Sequence, residues 1–300
     1  MKPVLFKGSG VALVTPMRQD GSVNFSLLEK LVQYQIMHHT DAIIVCGTTG
    51  EAPTLDDEEH LAAIACAVQA AEKRVPVIAG TGSNNTQHAI ELSREAGKIG
   101  ADGFLLVTPY YNKTNQRGLV EHFFTIADQV ERPCIVYNVP SRTGVNIQPE
   151  TYLALSKHPL IVGAKEANGN FSAIAQTIFL CGEELPLYSG NDDQIVPLLS
   201  LGGIGVISVL ANLVPDAVHE ICAAYFNGDC ESSAQLQRQY LELAQVLFCD
   251  INPIPVKTAL SLMGIDVGRC RLPLPSPAKT DVTRIRNSLL RADLPVMQRC

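Results

Sequence analysis

The sequence predicts an α/β fold: a (β/α)8 TIM barrel over residues 1–212, followed by an additional C-terminal helical region over residues 213–300. Three observations carry this reading. Eight short apolar runs alternate with longer helical patterns. The runs are almost continuously apolar, as parallel strands covered on both faces are, rather than alternating between core and solvent. After Asn212 the strand signal stops while helical patterns continue to the end of the chain.

In chain order the runs are GVALVTP from Gly10 to Pro16, DAIIVCG from Asp41 to Gly47, VPVIAGT from Val75 to Thr81 and GFLLVTP from Gly103 to Pro109. PCIVYN follows from Pro133 to Asn138, then LIVGAK from Leu160 to Lys165, PLYSG from Pro186 to Gly190 and IGVISV from Ile204 to Val209. The stretches between them read as helices. Ser26 with Glu29, and Thr54 with Asp57, have capping-box spacing ahead of apolar-periodic segments. Eight βα units in about two hundred residues is the count of a closed parallel barrel. The segment Ser233 to Phe248 is the clearest of the C-terminal helical patterns.

Composition narrows the function. The chain of 300 residues is 46% hydrophobic and 18% charged, enough to bury a large core, with a net charge of −7. No run of Lys or Arg supplies the basic surface that nucleic acid or an anionic membrane requires, so a small-molecule role is expected. Nine cysteines without a CxxC pair read as reduced thiols of a cytoplasmic protein. The opening MKPVLFKGSG is too poor in apolar residues for a signal peptide. From Gln194 to Pro215 no residue is charged, but Pro197, Gly202, Gly203, Gly205 and Pro215 divide that stretch into a short helix, a turn and a buried strand.

In such a barrel, chemistry gathers where the strands end. The predicted ends present Thr15, Thr48, Thr49, Thr81, Thr108, Tyr110, Tyr111, Tyr137, Asn138, Ser189, Asn191 and Ser208, with one amine, Lys165, beside Glu166. A lysine closing the run LIVGA is held in low dielectric, which lowers its pKa and makes it a nucleophile toward carbonyls. The alternative is a strand-end lysine that snorkels to water. Tyr137 ends the neighbouring strand and is either a proton donor to that lysine or a tyrosine capping the barrel core. Arg142, on the loop that follows, is either a carboxylate grip or an exposed loop arginine. None of the seven histidines falls at a predicted strand end, so no metal is expected, and no Gly-rich loop opens a helix after the first strand.

The strings GTTGEAPTL, VIAGTGSN, TPYYNK, YNVPSRTG, AKEANGN, GVISV and NPIPVK, in this order over nearly the whole chain, resemble the dihydrodipicolinate synthase family of the N-acetylneuraminate lyase and class I pyruvate aldolase superfamily. The resemblance implies a barrel that condenses pyruvate with L-aspartate 4-semialdehyde in lysine and diaminopimelate biosynthesis. It implies no cofactor beyond a covalent imine, and a homotetramer built as a pair of tight dimers. Lys165 would form the imine. Thr48 and Tyr137 would relay protons together with Tyr111, which in the family enters the partner subunit's site. Thr49 would bind the pyruvate carboxylate, Arg142 that of the semialdehyde, and the backbone at Gly190 and Ile207 would complete the pocket.

The family's lysine-inhibited members bind lysine at positions that map onto Ala52, Pro53, Asp57, His60, Asn84, His88 and Tyr110. Here Asp57 stands where histidine is usual and His88 where glutamate is, so weak or absent lysine inhibition is expected. The runner-up reading is a sister pyruvate aldolase, such as an N-acetylneuraminate lyase or a 2-keto-3-deoxy-sugar-acid aldolase. Arg142 within SRTG and the paired tyrosines of TPYYN favour the synthase branch. A barrel that only binds a keto acid is the third reading, and Lys165, Tyr137 and Thr48 together argue against it.

Overall fold

A computed structural model describes residues 2–297. Eight parallel strands close into a barrel in sequential order, with β8 pairing back onto β1. The βα units run β1 Gly8–Ala12, α1 Phe25–Met37, β2 Ala42–Val45, α2 Asp57–Ala71, β3 Val77–Gly80, α3 Thr86–Ile99, β4 Gly103–Val107 and α4 Gln116–Ala127. They continue with β5 Cys134–Asn138, α5 Pro140–Thr143, α6 Pro149–Leu155, β6 Ile161–Glu166, α7 Phe171–Cys181, β7 Leu187–Ser189, α8 Ile195–Ser200 and β8 Gly205–Ser208. Five further helices follow: α9 Pro215–Phe226, α10 Cys230–Gln239, α11 Leu241–Val246, α12 Ile254–Leu262 and α13 Lys279–Arg291. Among the described residues no helix is long and apolar enough to cross a membrane.

The strands are apolar throughout because the barrel has two cores. Residues of one parity, among them Ala12, Ile44, Ile78, Leu105, Ile135 and Ile207, fill the barrel interior. Those of the other parity, such as Val11, Val45, Val136 and Ala164, pack under the surrounding helices. Phe6 closes one end of the interior, stacked on Tyr188 at 4.4 Å between ring centroids and accepting the Tyr188 hydroxyl on its carbonyl at 2.7 Å. Parity also sorts the end of β6. Lys165 pairs in register with the inward-facing Tyr137 and Tyr188, so its side chain rises inside the barrel, while Ala164 and Glu166 turn outward.

The helix starts differ from both capping boxes expected from sequence. The cap of α1 is Asn24, whose side chain accepts from Leu27 N, and the cap of α2 is Asp56, which accepts from Glu59 N at 2.8 Å. Thr54 is instead part of a 3₁₀ turn over Ala52–Thr54 and donates to the Glu51 carbonyl at 3.0 Å. The helix therefore begins two residues later, where three consecutive acids, Asp57, Glu58 and Glu59, face its positive end. The first strand, expected from Gly10 to Pro16, lies at Gly8–Ala12. Beyond it the Val14 amide leaves the ladder and bonds Asn212 Oδ1 at 3.1 Å.

Candidate active site

Lys165 is 6% exposed at the C-terminal end of β6. Burial lowers its pKa from 10.5 to about 7; the Asp192 carboxylate pulls the value up and the Arg142 guanidinium pulls it down. Its Nζ lies 4.3 Å from the centroid of the Tyr137 ring. Burial raises Tyr137 to about 12, against the opposing pull of Arg142 and of a hydrogen bond with Thr48. Near neutral pH, then, the amine is available as a nucleophile while the phenol keeps its proton, which is the division of labour an imine-forming site needs. Gly190 sits against the lysine stem: a Cβ there would lie 3.3 Å from Lys165 Cε and 2.7 Å from Ala167 Cβ. Ile207, paired with Gly10, lines the barrel interior.

The carboxylate facing Lys165 was not among the residues expected from sequence. Asp192 is buried and accepts from Ser208 Oγ at 2.5 Å, Val209 N at 3.0 Å and Leu210 N at 2.9 Å. Burial raises its pKa, while those three donors and the Lys165 charge oppose the shift. On the outer side of the same strand, Glu166 accepts from Tyr152 OH at 2.7 Å, from Asn138 Nδ2 and from Asn168 N. That network ties β5, β6 and α6 behind the lysine.

Thr48 and Thr49 lie on the turn after β2. Two non-glycine residues in the left-handed region bracket it, Cys46 at φ 54° and Glu51 at φ 58°. Such backbone persists only where its surroundings hold it. Thr15 Oγ1 donates to the Gly50 carbonyl at 2.7 Å, and Glu51 Oε1 accepts from Lys257 Nζ at 2.7 Å in a fully buried ion pair. Lys257 also donates to the Thr15 and Arg269 carbonyls, and Arg271 N donates to Glu51 Oε2 at 2.8 Å. On the neighbouring strand only a glycine fits at position 80, where a Cβ would lie 2.3 Å from the Cys46 carbonyl oxygen.

Thr49 is buried, and its Oγ1 accepts from Asn252 Nδ2 at 2.9 Å. Arg142 is in α5, with Nη2 donating to the Asn252 carbonyl at 3.1 Å. Asn252 and Lys257 therefore reach from the C-terminal helical region into the barrel mouth. Both belong to the string NPIPVK, which carried part of the family resemblance although neither residue was singled out there.

Thr48, Tyr137 and Arg142 line a cavity of about 390 Å³ that also touches Ala52, Pro53, Asp57, His60, His88 and Tyr110. His88 Nε2 lies 2.9 Å from Asp57 Oδ1, His60 Nε2 lies 2.9 Å from the Gly80 carbonyl oxygen, and Asn84 Nδ2 donates to the Tyr110 carbonyl. Tyr111 stands apart from this group. It is 91% exposed with φ at 65°, and within this chain it does not reach the lysine. Among the described residues, no group of three or more His, Cys, Asp or Glu is disposed to hold a metal ion.

Comparison with known proteins gives a consistent result. Residues 5–292 match the Dihydrodipicolinate synthetase family. The 4-hydroxy-tetrahydrodipicolinate synthase of Caldicellulosiruptor saccharolyticus is 54% identical over 286 residues, covering 95% of this chain and 97% of that protein. The crystal structure of dihydrodipicolinate synthase from Aquifex aeolicus superposes with a TM-score of 0.95 at 42% identity, covering 98% of this chain and all of that one. The chloride-inhibited dihydrodipicolinate synthase of Acinetobacter baumannii, complexed with pyruvate, superposes with a TM-score of 0.94 at 45% identity over 96% of this chain and 99% of that one.

Proposed function

The chain belongs to the dihydrodipicolinate synthetase family, and from that premise we propose how its own residues carry the reaction. The activity is that of a 4-hydroxy-tetrahydrodipicolinate synthase, a lyase that condenses pyruvate with L-aspartate 4-semialdehyde. A sister aldolase acting on sugar acids is not favoured, since the relatives of high identity carry the synthase name.

The observation that supports the chemical assignment best is a buried lysine, with pKa near 7, against a tyrosine that stays protonated. The neutral Lys165 amine attacks the pyruvate keto carbon. Protons delivered through Tyr137 and Thr48 let the carbinolamine oxygen leave as water, giving the imine. Loss of a methyl proton turns the imine into an enamine, whose carbon forms the new bond to the aldehyde carbon as the aldehyde oxygen takes a proton to become a hydroxyl and the imine is restored. The semialdehyde nitrogen then attacks the imine carbon, and the bond to Lys165 breaks to release the ring and the free amine. Thr49 holds the pyruvate carboxylate, Arg142 that of the semialdehyde, and the backbone at Gly190 and Ile207 closes the pocket around the imine. The iminium itself activates the carbonyl, so we infer no cofactor.

Tyr111, projecting from the molecule in a left-handed conformation, fits a residue that completes the relay of a second copy. We therefore infer a homo-oligomer, with the family's tetramer as its form, in the cytoplasm. Borohydride in the presence of pyruvate should leave a mass increment on Lys165 and abolish turnover. No increment at that lysine would sink the class I mechanism.

A further inference from the structure

β5 and β6 do not pair evenly along their length. Cys134 pairs with Ile161 but Ile135 with Gly163, so the ladder slips by one residue where both strands begin. Register matters at this place because successive residues of a strand face opposite sides, and a shift by one would turn Lys165 out of the barrel. Above the slip the pairing is regular again, with Tyr137 opposite Lys165 and Asn138 opposite Glu166.

The last of these pairs is joined by its side chains. Asn138 Nδ2 donates to Glu166 Oε1 at 3.0 Å and Oε2 at 3.1 Å, and to Asn146 Oδ1 at 2.8 Å. Tyr152 OH and Asn168 N are the other donors to the carboxylate, while Asn138 Oδ1 accepts from Ile147 N at 3.1 Å. Asn138, Tyr152 and Glu166 are all buried. The Glu166 main-chain carbonyl also accepts from Gly190 N at 2.8 Å, beside the stem of Lys165. One residue beyond the inward pair of Lys165 and Tyr137, the same two strands are therefore bolted together on the outer face.

Resting on the reaction proposed above, we propose that Glu166 is a positioning residue for imine formation: through Asn138 and Tyr152 it locks the end of β6 in register and so sets where the Lys165 amine stands against the Tyr137 phenol. The role requires a bridge rather than a charge. All three donors to the carboxylate are neutral groups, and burial raises Glu166 to about 7, so near neutral pH part of the molecules carry it protonated. The neutral acid keeps the bridge, since the Tyr152 hydroxyl can turn and accept. An amide has the same capacity. Leucine has none, and aspartate is one methylene too short to reach Asn138 and Tyr152 together.

The test follows imine formation by rapid quench of enzyme and pyruvate into borohydride, reading the mass of the adduct on Lys165 in the wild type, Glu166→Leu and Glu166→Gln. A displacement of about 1 Å between reacting groups costs about 10²-fold, so the leucine variant should form the imine about 10²-fold more slowly at saturating pyruvate. Its half-saturating pyruvate concentration should change less than about twofold, because the carboxylate grip of Thr49 lies after a different strand. Glu166→Gln should restore the rate to within about threefold of the wild type and leave unchanged the pH at which that rate levels off. Circular dichroism checks the fold; if the leucine variant does not fold, Glu166→Asp carries the same comparison.

A leucine variant as fast as the wild type would show that the backbone ladder alone sets the register. A glutamine variant as slow as leucine, or with a displaced pH inflection, would show that Glu166 acts by its charge. A half-saturating pyruvate concentration that rises as far as the rate falls would show general damage to the site. Each of these overturns the proposal, whereas a wild type that forms no adduct would overturn the imine reading beneath it.

Discussion

The nucleophilicity of Lys165 can be tested directly through pH. A fall of the amine from 10.5 to about 7 makes the neutral form less costly relative to the charged form by on the order of 5 kcal/mol. At pH 7 about half of the molecules then carry a neutral amine, against well under one in a thousand for an ordinary lysine. Desolvation is the largest cause, and the Asp192 carboxylate restrains the shift. Single-turnover trapping with cyanoborohydride, at subsaturating pyruvate and with no acceptor present, reads the free amine alone. The trapping rate should climb about tenfold per pH unit up to about pH 7 and then level off.

Replacing Asp192 by Asn removes the charge that favours the ammonium form. The inflection in this variant should move below that of the wild type by up to about one pH unit, with the plateau retained. The direction matters more than the size. A carboxylate acting as the proton acceptor would instead lower the plateau and leave the inflection where it was. A wild-type rate that keeps rising toward pH 10 would mean that Lys165 titrates as an ordinary lysine, and the burial argument would fail.

Three other outcomes follow from the same geometry. Thr48→Val should cut kcat by roughly 10²–10⁴-fold by breaking the relay, whereas Thr49→Val should mainly raise the pyruvate KM, by about tenfold; matching kinetic profiles for the two would refute the division of labour. Lys257→Met leaves Glu51 buried without its cation and should cost about 3–5 kcal/mol by denaturant or thermal unfolding, most of it recovered in the double variant with Glu51→Leu; a single variant as stable as the wild type would show that the pair does not hold the threonine turn. L-lysine should inhibit weakly or not at all, because Asp57 and His88 satisfy each other at 2.9 Å; a saturable inhibition curve at submillimolar lysine would contradict this.

The barrel was legible because each strand is buried on both faces, which forces a continuous apolar run that few other elements produce. The helix caps were less legible. Ser26 and Thr54 have capping-box spacing, yet Asn24 and Asp56 cap the helices: Ser26 already lies inside α1, and the 3₁₀ turn at Ala52–Thr54 engages the Thr54 hydroxyl before α2 begins. Spacing alone carries no record of such a competing bond. Tyr111 shows another limit: its role could be drawn from resemblance, while its own chain leaves it in solvent.

What sequence could not convey is which distant side chains meet the threonine turn. Lys257 reaches Glu51 across 206 residues, and Asn252 reaches Thr49 across 203. Read locally, Asn252 is a polar residue before a proline and Lys257 a surface-like charge in the first turns of a helix. Only closure of the barrel, with α12 brought over its mouth, turns them into partners of Thr49, Arg142 and Glu51. Lys165 differs because both of its determinants are local: an apolar strand that buries it, and a register that aims it inward beside Tyr137. The proposed nucleophile was therefore readable one strand at a time. The groups that meet the threonine turn depend on the whole fold, because their partners come from the far end of the chain.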